Sequence, residues 1–155
     1  MKQMAKMIDL NFLISQGTSE DVAWIDTKID EFNIGKLSFI GKQLEIPLNY
    51  VVKDDNKVIA GIKCCFYLEE VLYVNVIFVN ENYRLQRLGS LLLNKVEDEA
   101  IALGAKLAHL YTFDFQAKDF YLKHGYTIFG VLEDCPVGHT CYYLKKKLQK
   151  NTKKS

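Results

Sequence analysis

The chain has 155 residues, 49% of them hydrophobic and 25% charged, with a net charge of +1. That length and mix suit one soluble globular domain with a single core. The balance excludes a nucleic-acid binder recruited by bulk charge, and no apolar run approaches the roughly 20 residues that span a bilayer.

Met7 to Ile14 reads as a first strand. Asp9 and Asn11 break its apolar stretch, so the N-terminus does not read as a secretory signal, and a cytoplasmic protein is expected. Thr18 stands three residues before Asp21, which is a helix-start pattern. Val22, Ile25, Ile29 and Phe32 follow on one helical face, and Gly35 is a stop. Lys36 to Pro47 is poorly patterned, and its position suits a loop over a site.

Three strands follow, at Asn49 to Lys53, Val58 to Phe66 and Val71 to Val79. The links Asp54-Asp55-Asn56-Lys57 and Leu68-Glu69-Glu70 are short, which predicts antiparallel neighbours. Leu88, Leu91, Leu92, Val96, Ala100 and Leu103 form the stripe of a long helix over 88–103, closed by Gly104. Leu107 to Phe113 is an almost unbroken apolar run, as expected of a strand buried on both faces. A short helix over 117–124 ends at Gly125. Two strands, Tyr126 to Leu132 and Thr140 to Leu148, close a mixed α/β sheet. The long helix between two strands implies a right-handed crossover and parallel pairing. Residues 1–148 make a single domain, and 149–155 a frayed basic tail. C-terminal edge strands would allow a homodimer.

The four cysteines, Cys64, Cys65, Cys135 and Cys141, include no C-x-x-C pair. No metal is expected, and all four read as free thiols. None has an evident histidine partner, so cysteine nucleophilic catalysis is not favoured. His109 lies in an apolar strand and reads as a core histidine. His124 ends a helix, where a cation favours the dipole.

The chemistry concentrates between Val76 and Leu93. A strand ends at Val79, a polar turn follows, and a helix begins near Arg87. Helix starts leave backbone N–H groups unpaired and carry partial positive charge, a combination that binds phosphate. Gly89 removes a side chain where a ligand would approach, and Arg84 and Arg87 add charge. Alone, such a feature is only a helix start.

The turn Tyr83-Arg84-Leu85-Gln86-Arg87-Leu88-Gly89 is similar to the Q/R-x-x-G-x-G/A motif of the GNAT acetyltransferase superfamily. Arg84 and Gly89 match, and Arg87 replaces the first motif glycine. Ala117-Lys118-Asp119-Phe120-Tyr121-Leu122-Lys123-His124-Gly125-Tyr126 looks like the family's A-x-x-F/L-Y-x-K-x-G-F/Y helix. Thr112-Phe113-Asp114-Phe115-Gln116-Ala117, with the closing strand from Gly138-His139-Thr140 to Leu148, resembles one bacterial branch. The resemblance covers Val71 to Leu148 well, and the N-terminal half by element order only.

The resemblance implies a GNAT-like acyl-CoA N-acyltransferase fold, with about seven strands and helices on both faces. It implies acetyl-CoA as cosubstrate and direct attack by a small-molecule amine, with no nucleic-acid or membrane partner. The acids of the N-terminal half would suit a cationic amine. Cofactor contacts would fall on Ile77, Phe78, Val79, Arg84, Leu85, Gln86, Arg87, Leu88, Gly89, Ser90, Gln116, Phe120 and Lys123. The amides of the strand Val76 to Val79 would meet the acetyl oxygen, with that strand splayed from its neighbour. Tyr121 would protonate the departing thiolate. Arg87 either contacts a phosphate or crowds the loop. Asp114 could cap the short helix, and should face away from phosphates or toward an amine. Glu69, Glu70, Asp114, Asp134, His139 or a water chain remain open as the base. A peptide or protein acceptor, and a coenzyme A-binding module without transferase activity, are the other readings.

Overall fold

A computed structural model describes residues 14–36 and 45–149. The chain divides into two compact units, Met1–Lys42 and Gln43–Ser155, taken here in turn.

The first unit contains α1, Ser19–Ile34. Thr18 and Asp21 close it reciprocally: the Thr18 oxygen accepts from the Asp21 N–H at 3.2 Å, and Asp21 Oδ2 accepts from the Thr18 N–H at 2.8 Å. That is the capping box the sequence predicts. Gly35 ends the helix in a right-handed conformation, its N–H donating to the Glu31 carbonyl. The expected first strand lies outside the described residues except for Ile14, which belongs to no element.

The second unit is a mixed α/β fold. Its strands are β1 (Glu45–Asp54), β2 (Lys57–Tyr67), β3 (Val71–Val79), β4 (Leu107–Phe113), β5 (Thr127–Leu132) and β6 (Cys141–Lys147). They form one sheet in the order β1-β2-β3-β4-β6-β5. Among the described residues the sheet has six strands. The helices among the described residues are α2 (Leu88–Leu103) and α3 (Lys118–Lys123), with a 3-10 turn at Glu81–Tyr83. Every strand pair is antiparallel except β3 and β4, which α2 connects in parallel.

Three expectations need correction. β1 begins at Glu45 rather than Asn49, so part of the expected loop is strand, and residues 37–44 lie outside the description. Pro47 obscured this in the sequence. It is tolerated because β1 is an edge strand among the described residues, where a missing N–H costs no ladder bond. β4 alternates rather than burying both faces: Ala108, Leu110 and Thr112 are buried, while Tyr111 is exposed. Among the described residues, the C-terminal strands offer one edge, β5, because β6 inserts between it and β4.

One core joins the sheet to both helices. Ala60, Ile62, Leu72, Val74, Ala108, Leu110 and Leu144 meet Leu92, Leu93, Val96 and Ala100 of α2 and Tyr121 of α3. Each large aliphatic side chain buried there contributes about 1.5–3 kcal/mol. Glu97 is buried on α2 and compensated on both oxygens. Tyr126 donates to Oε1 at 2.9 Å and Lys146 to Oε2 at 2.5 Å. Among the described residues, no helix is long and apolar enough to cross a membrane.

Candidate active site

β3 and β4 pair only at Val71 to Tyr73 against Leu107 to His109, yet they run on to Val79 and Phe113. Beyond the last pair they part. The gap is a cavity of about 720 Å³, lined by Asn75, Val76, Ile77 and Phe78 of β3 and by Tyr111, Thr112 and Phe113 of β4. Asn75 is the extra residue of a bulge, since Val74 faces Cys64 and Val76 already faces Lys63. Bulges bend the strand that carries them and re-aim its side chains. Past this one, Ile77 and Val79 pack against the core, while Val76 and Phe78 are exposed. The inner edge of β3 therefore offers backbone groups to the gap instead of to β4.

A narrower groove continues from the gap along Ile77, Val79, Ala117 and Phe120 to Arg84 and Gly89. It reaches a hollow formed by Tyr83, Arg84, Leu85, Arg87, Leu88, Gly89 and Ser90 at the start of α2. Unlike α1, this helix has no side-chain cap. Leu91 is the first residue whose N–H reaches back into the turn, to the Arg87 carbonyl at 3.0 Å. The Leu88, Gly89 and Ser90 amides are left for another acceptor. Leu85 and Arg87 are both left-handed at φ 64°, on either side of Gln86. Alternating conformations of this sort turn successive N–H groups inward as an anion-binding nest.

The turn is anchored on both sides. The Tyr83 hydroxyl donates to Asp54 Oδ2 at 2.6 Å, and Arg84 Nε donates to the Val79 carbonyl at 3.3 Å. A Cβ on Gly89 would stand 3.4 Å from the Phe120 ring and 3.7 Å from Val79. This glycine therefore also lets α2 lie close to Phe120. Ser90 Oγ lies 3.0 Å from His124 Nε2, and His124 Nδ1 lies 2.7 Å from the Phe120 carbonyl. A carbonyl only accepts, so Nδ1 carries a proton; in the neutral ring, Nε2 then accepts from Ser90.

Tyr121 is 5% exposed and lines the gap. Its ring packs edge-on against Phe120 and Tyr126. Burial, with a smaller push from Cys64, raises its phenol above the usual value of about 10. Tyr121 therefore holds its proton more tightly than a tyrosine in water.

Asp114 does not cap α3, whose N-cap is Ala117 without a side-chain bond. Its carboxylate ties the end of β4 to the loop before β6. Oδ1 accepts from the Phe115 N–H at 2.8 Å and lies 3.1 Å from His139 Nδ1, and Oδ2 accepts from the Thr140 N–H at 3.3 Å. Gln116 lines the gap and is held by its Oε1, which accepts from Thr112 and from the Phe113 N–H. His109 is half-buried, 2.8 Å from the Tyr67 hydroxyl and stacked on Tyr73. Cys64 is buried, which pushes its thiol up to about 12. Cys64, Cys65, Cys135 and Cys141 are free. Among the described residues, no group of three or more His, Cys, Asp and Glu is placed to hold a metal ion.

Of the residues singled out from the sequence, Ile77, Phe78, Val79, Arg84, Leu85, Arg87, Leu88, Gly89, Ser90, Gln116, Phe120 and Tyr121 line the gap, the groove or the hollow. Gln86 belongs to the turn but lines none of the three. Lys123 is exposed at the end of α3 and also lines none. Asn75, Tyr111, Thr112, Phe113 and Phe115 line the gap without having been singled out as site residues. The T-F-D-F-Q-A block was the available signal for three of these.

The model of the Acetyltransferase (GNAT) family matches residues 17–126. The chain belongs to that family. It is an N-acetyltransferase of the GNAT type. A crystal structure of an acetyltransferase from Bacillus cereus is similar with a TM-score of 0.78 and 32% identity, covering 88% of this chain and 98% of that one. An acetyltransferase of Agrobacterium fabrum is 26% identical over 139 residues, which is 89% of this chain and 99% of that protein. A blasticidin-S acetyltransferase of Streptomyces morookaense is 35% identical over 78 residues, 50% of this chain and 57% of that protein.

Proposed function

We propose that this enzyme transfers the acetyl group of acetyl-CoA to the primary amine of a small molecule, by direct attack with both substrates bound. The supporting observation is the continuity of gap, groove and hollow, which suits a long cosubstrate with a charged head and a reactive tail. The Leu88, Gly89 and Ser90 amides, with Arg84 and Arg87, would hold the pyrophosphate. The apolar groove along Ile77, Val79, Ala117 and Phe120 would hold the pantetheine arm. Acetyl-CoA supplies an acetyl group activated as a thioester.

The unpaired edge of β3 in the gap would donate N–H groups to the acetyl oxygen as it gains charge. Tyr121 would give its proton to the departing sulfur. A phenol raised by burial suits this role, because the same burial raises the basicity of a thiolate formed beside it. The edge strand β5, with Phe129 and Val131 exposed, is where a second copy would pair if the enzyme dimerises.

The test is amine-dependent release of free coenzyme A from acetyl-CoA, measured across a panel of small primary amines and one lysine peptide. Saturable release with a small amine, lost in Tyr121→Phe by a factor of about 100, supports the reading. Release with the peptide alone would transfer the activity to protein acceptors. No release with any amine, despite bound acetyl-CoA, would contradict it.

A further inference from the structure

On the face of the sheet turned away from α2, the gap has an aromatic wall. Phe113 and Phe115 stack with ring centroids 5.2 Å apart and planes 1° from parallel, and Tyr111 meets Phe113 edge-on at 5.9 Å. Among the described residues lining this gap, Arg84 is the sole charged one. At the margin stands His139, its ring edge-on to Phe115 at 4.8 Å.

His139 is held in one orientation. Asp114 Oδ1 lies 3.1 Å from Nδ1, and a carboxylate only accepts, so Nδ1 carries the proton. Asp114 is itself fixed by the Phe115 and Thr140 amides. The backbone of His139 is tied on both sides, its N–H donating to the Pro136 carbonyl and its carbonyl accepting from the Cys135 N–H. Nε2 is left with a lone pair and has no partner among the described residues. This is a base with an orienting carboxylate, in contact with Phe115 of a cavity that Tyr121 of α3 also lines.

We propose that His139 is the general base of the transfer, oriented by Asp114, and that the acceptor is an amine carried on a flat apolar body lying against Phe113 and Phe115. This rests on the proposed function and completes it. As the amine nitrogen forms its bond to the acetyl carbon, Nε2 takes one proton from that nitrogen. The carbon–sulfur bond breaks, and the sulfur leaves with a proton from Tyr121. The products are an amide and free coenzyme A, and solvent returns the proton from His139 to Tyr121. The acidic group on the imidazole, among the described residues, is Asp114, while Asp134 Oδ1 accepts from the backbone N–H of the preceding Gly138. Arg84 is the charged group lining the gap.

The experiment follows coenzyme A release with 2-phenylethylamine as acceptor and spermidine as comparator, in wild type, His139→Gln and Asp114→Asn. Calorimetry of acetyl-CoA binding runs on each. The ratio of kcat/KM between wild type and His139→Gln cancels the amine's own ionisation. It is expected to be about 100 or more near neutral pH, and to fall toward one as acid protonates His139. Asp114→Asn is expected to lose about tenfold or more, through the wrong tautomer. Added imidazole should restore part of the rate of His139→Ala, which a purely structural loss would not allow. The affinity for acetyl-CoA should stay within about twofold in His139→Gln.

A ratio near one at every pH, with wild type active, overturns the assignment of the base. Bound acetyl-CoA with release no faster for 2-phenylethylamine than for spermidine overturns the acceptor class. Failure to bind acetyl-CoA at all would instead sink the proposed function.

Discussion

The hydroxyl of Ser90 lies 3.0 Å from Nε2 of His124, so the first turn of α2 is fastened to the end of α3. His124 also bridges to the Phe120 carbonyl, and the Phe120 ring packs on Gly89. The start of α2 and the helix bearing Tyr121 are thus mechanically one piece. Ser90→Ala and His124→Ala should each cost about 1 kcal/mol. In a double-mutant cycle by urea denaturation they should couple by about 0.5 kcal/mol or more. Strict additivity would show that the contact carries no energy.

Arg87 occupies a backbone conformation that glycine adopts freely, φ 64°. Arg87→Gly should therefore stabilise the fold by about 1 kcal/mol while weakening coenzyme A binding, since the side chain is exposed in the hollow and no longer offers a cation. Urea denaturation and calorimetry read the two effects separately. Tighter binding in the variant would mean that the arginine crowds the loop.

Glu97 depends on both partners. Lys146→Met strips a cation from a buried carboxylate and should cost about 3 kcal/mol, and Tyr126→Phe about 1–2 kcal/mol. Replacing Glu97, Lys146 and Tyr126 together by Leu, Met and Phe should recover most of the loss, because neither an uncompensated charge nor an orphaned hydroxyl remains. Urea unfolding midpoints at neutral pH provide the comparison.

His109 makes the fold acid-sensitive. Burial holds its pKa below the usual value of about 6.5, so between the two values the unfolded chain binds a proton that the folded chain refuses. Its contribution to stability is therefore complete above about pH 6.5 and declines as the pH falls from there toward the lower folded value. His109→Gln keeps a partner for Tyr67 and should show a smaller acid-side decline in its unfolding midpoint. An equal decline would place the sensitivity elsewhere.

Much of the fold was legible because it depends on local patterns. The stripe from Leu88 to Leu103 and the left-handed Gly104 set α2 without help from the rest of the chain. The short links around Asn56 and Glu69 set two antiparallel pairs. The gap was legible only through the family resemblance, since apart from Asn75 residues 74–79 are good strand formers and nothing in their order says that the ladder stops at Tyr73. Only the bulge at Asn75 and the course of β4 decide that. The tie between Asp114 and His139 spans 25 positions and depends on β6 lying beside β4, so neither residue reveals its role alone. Gly89 reads as room for a ligand, but it also touches Phe120, a contact visible only once α3 is in place.

The central claim is that one groove joins the start of α2 to the gap between β3 and β4 and holds acetyl-CoA. Calorimetry with acetyl-CoA, on wild type and on Arg84→Ala, tests it most directly. The account predicts micromolar binding that weakens about tenfold or more in the variant, as loss of a charge-assisted phosphate contact requires. No binding at millimolar acetyl-CoA, or binding untouched by the substitution, would contradict it.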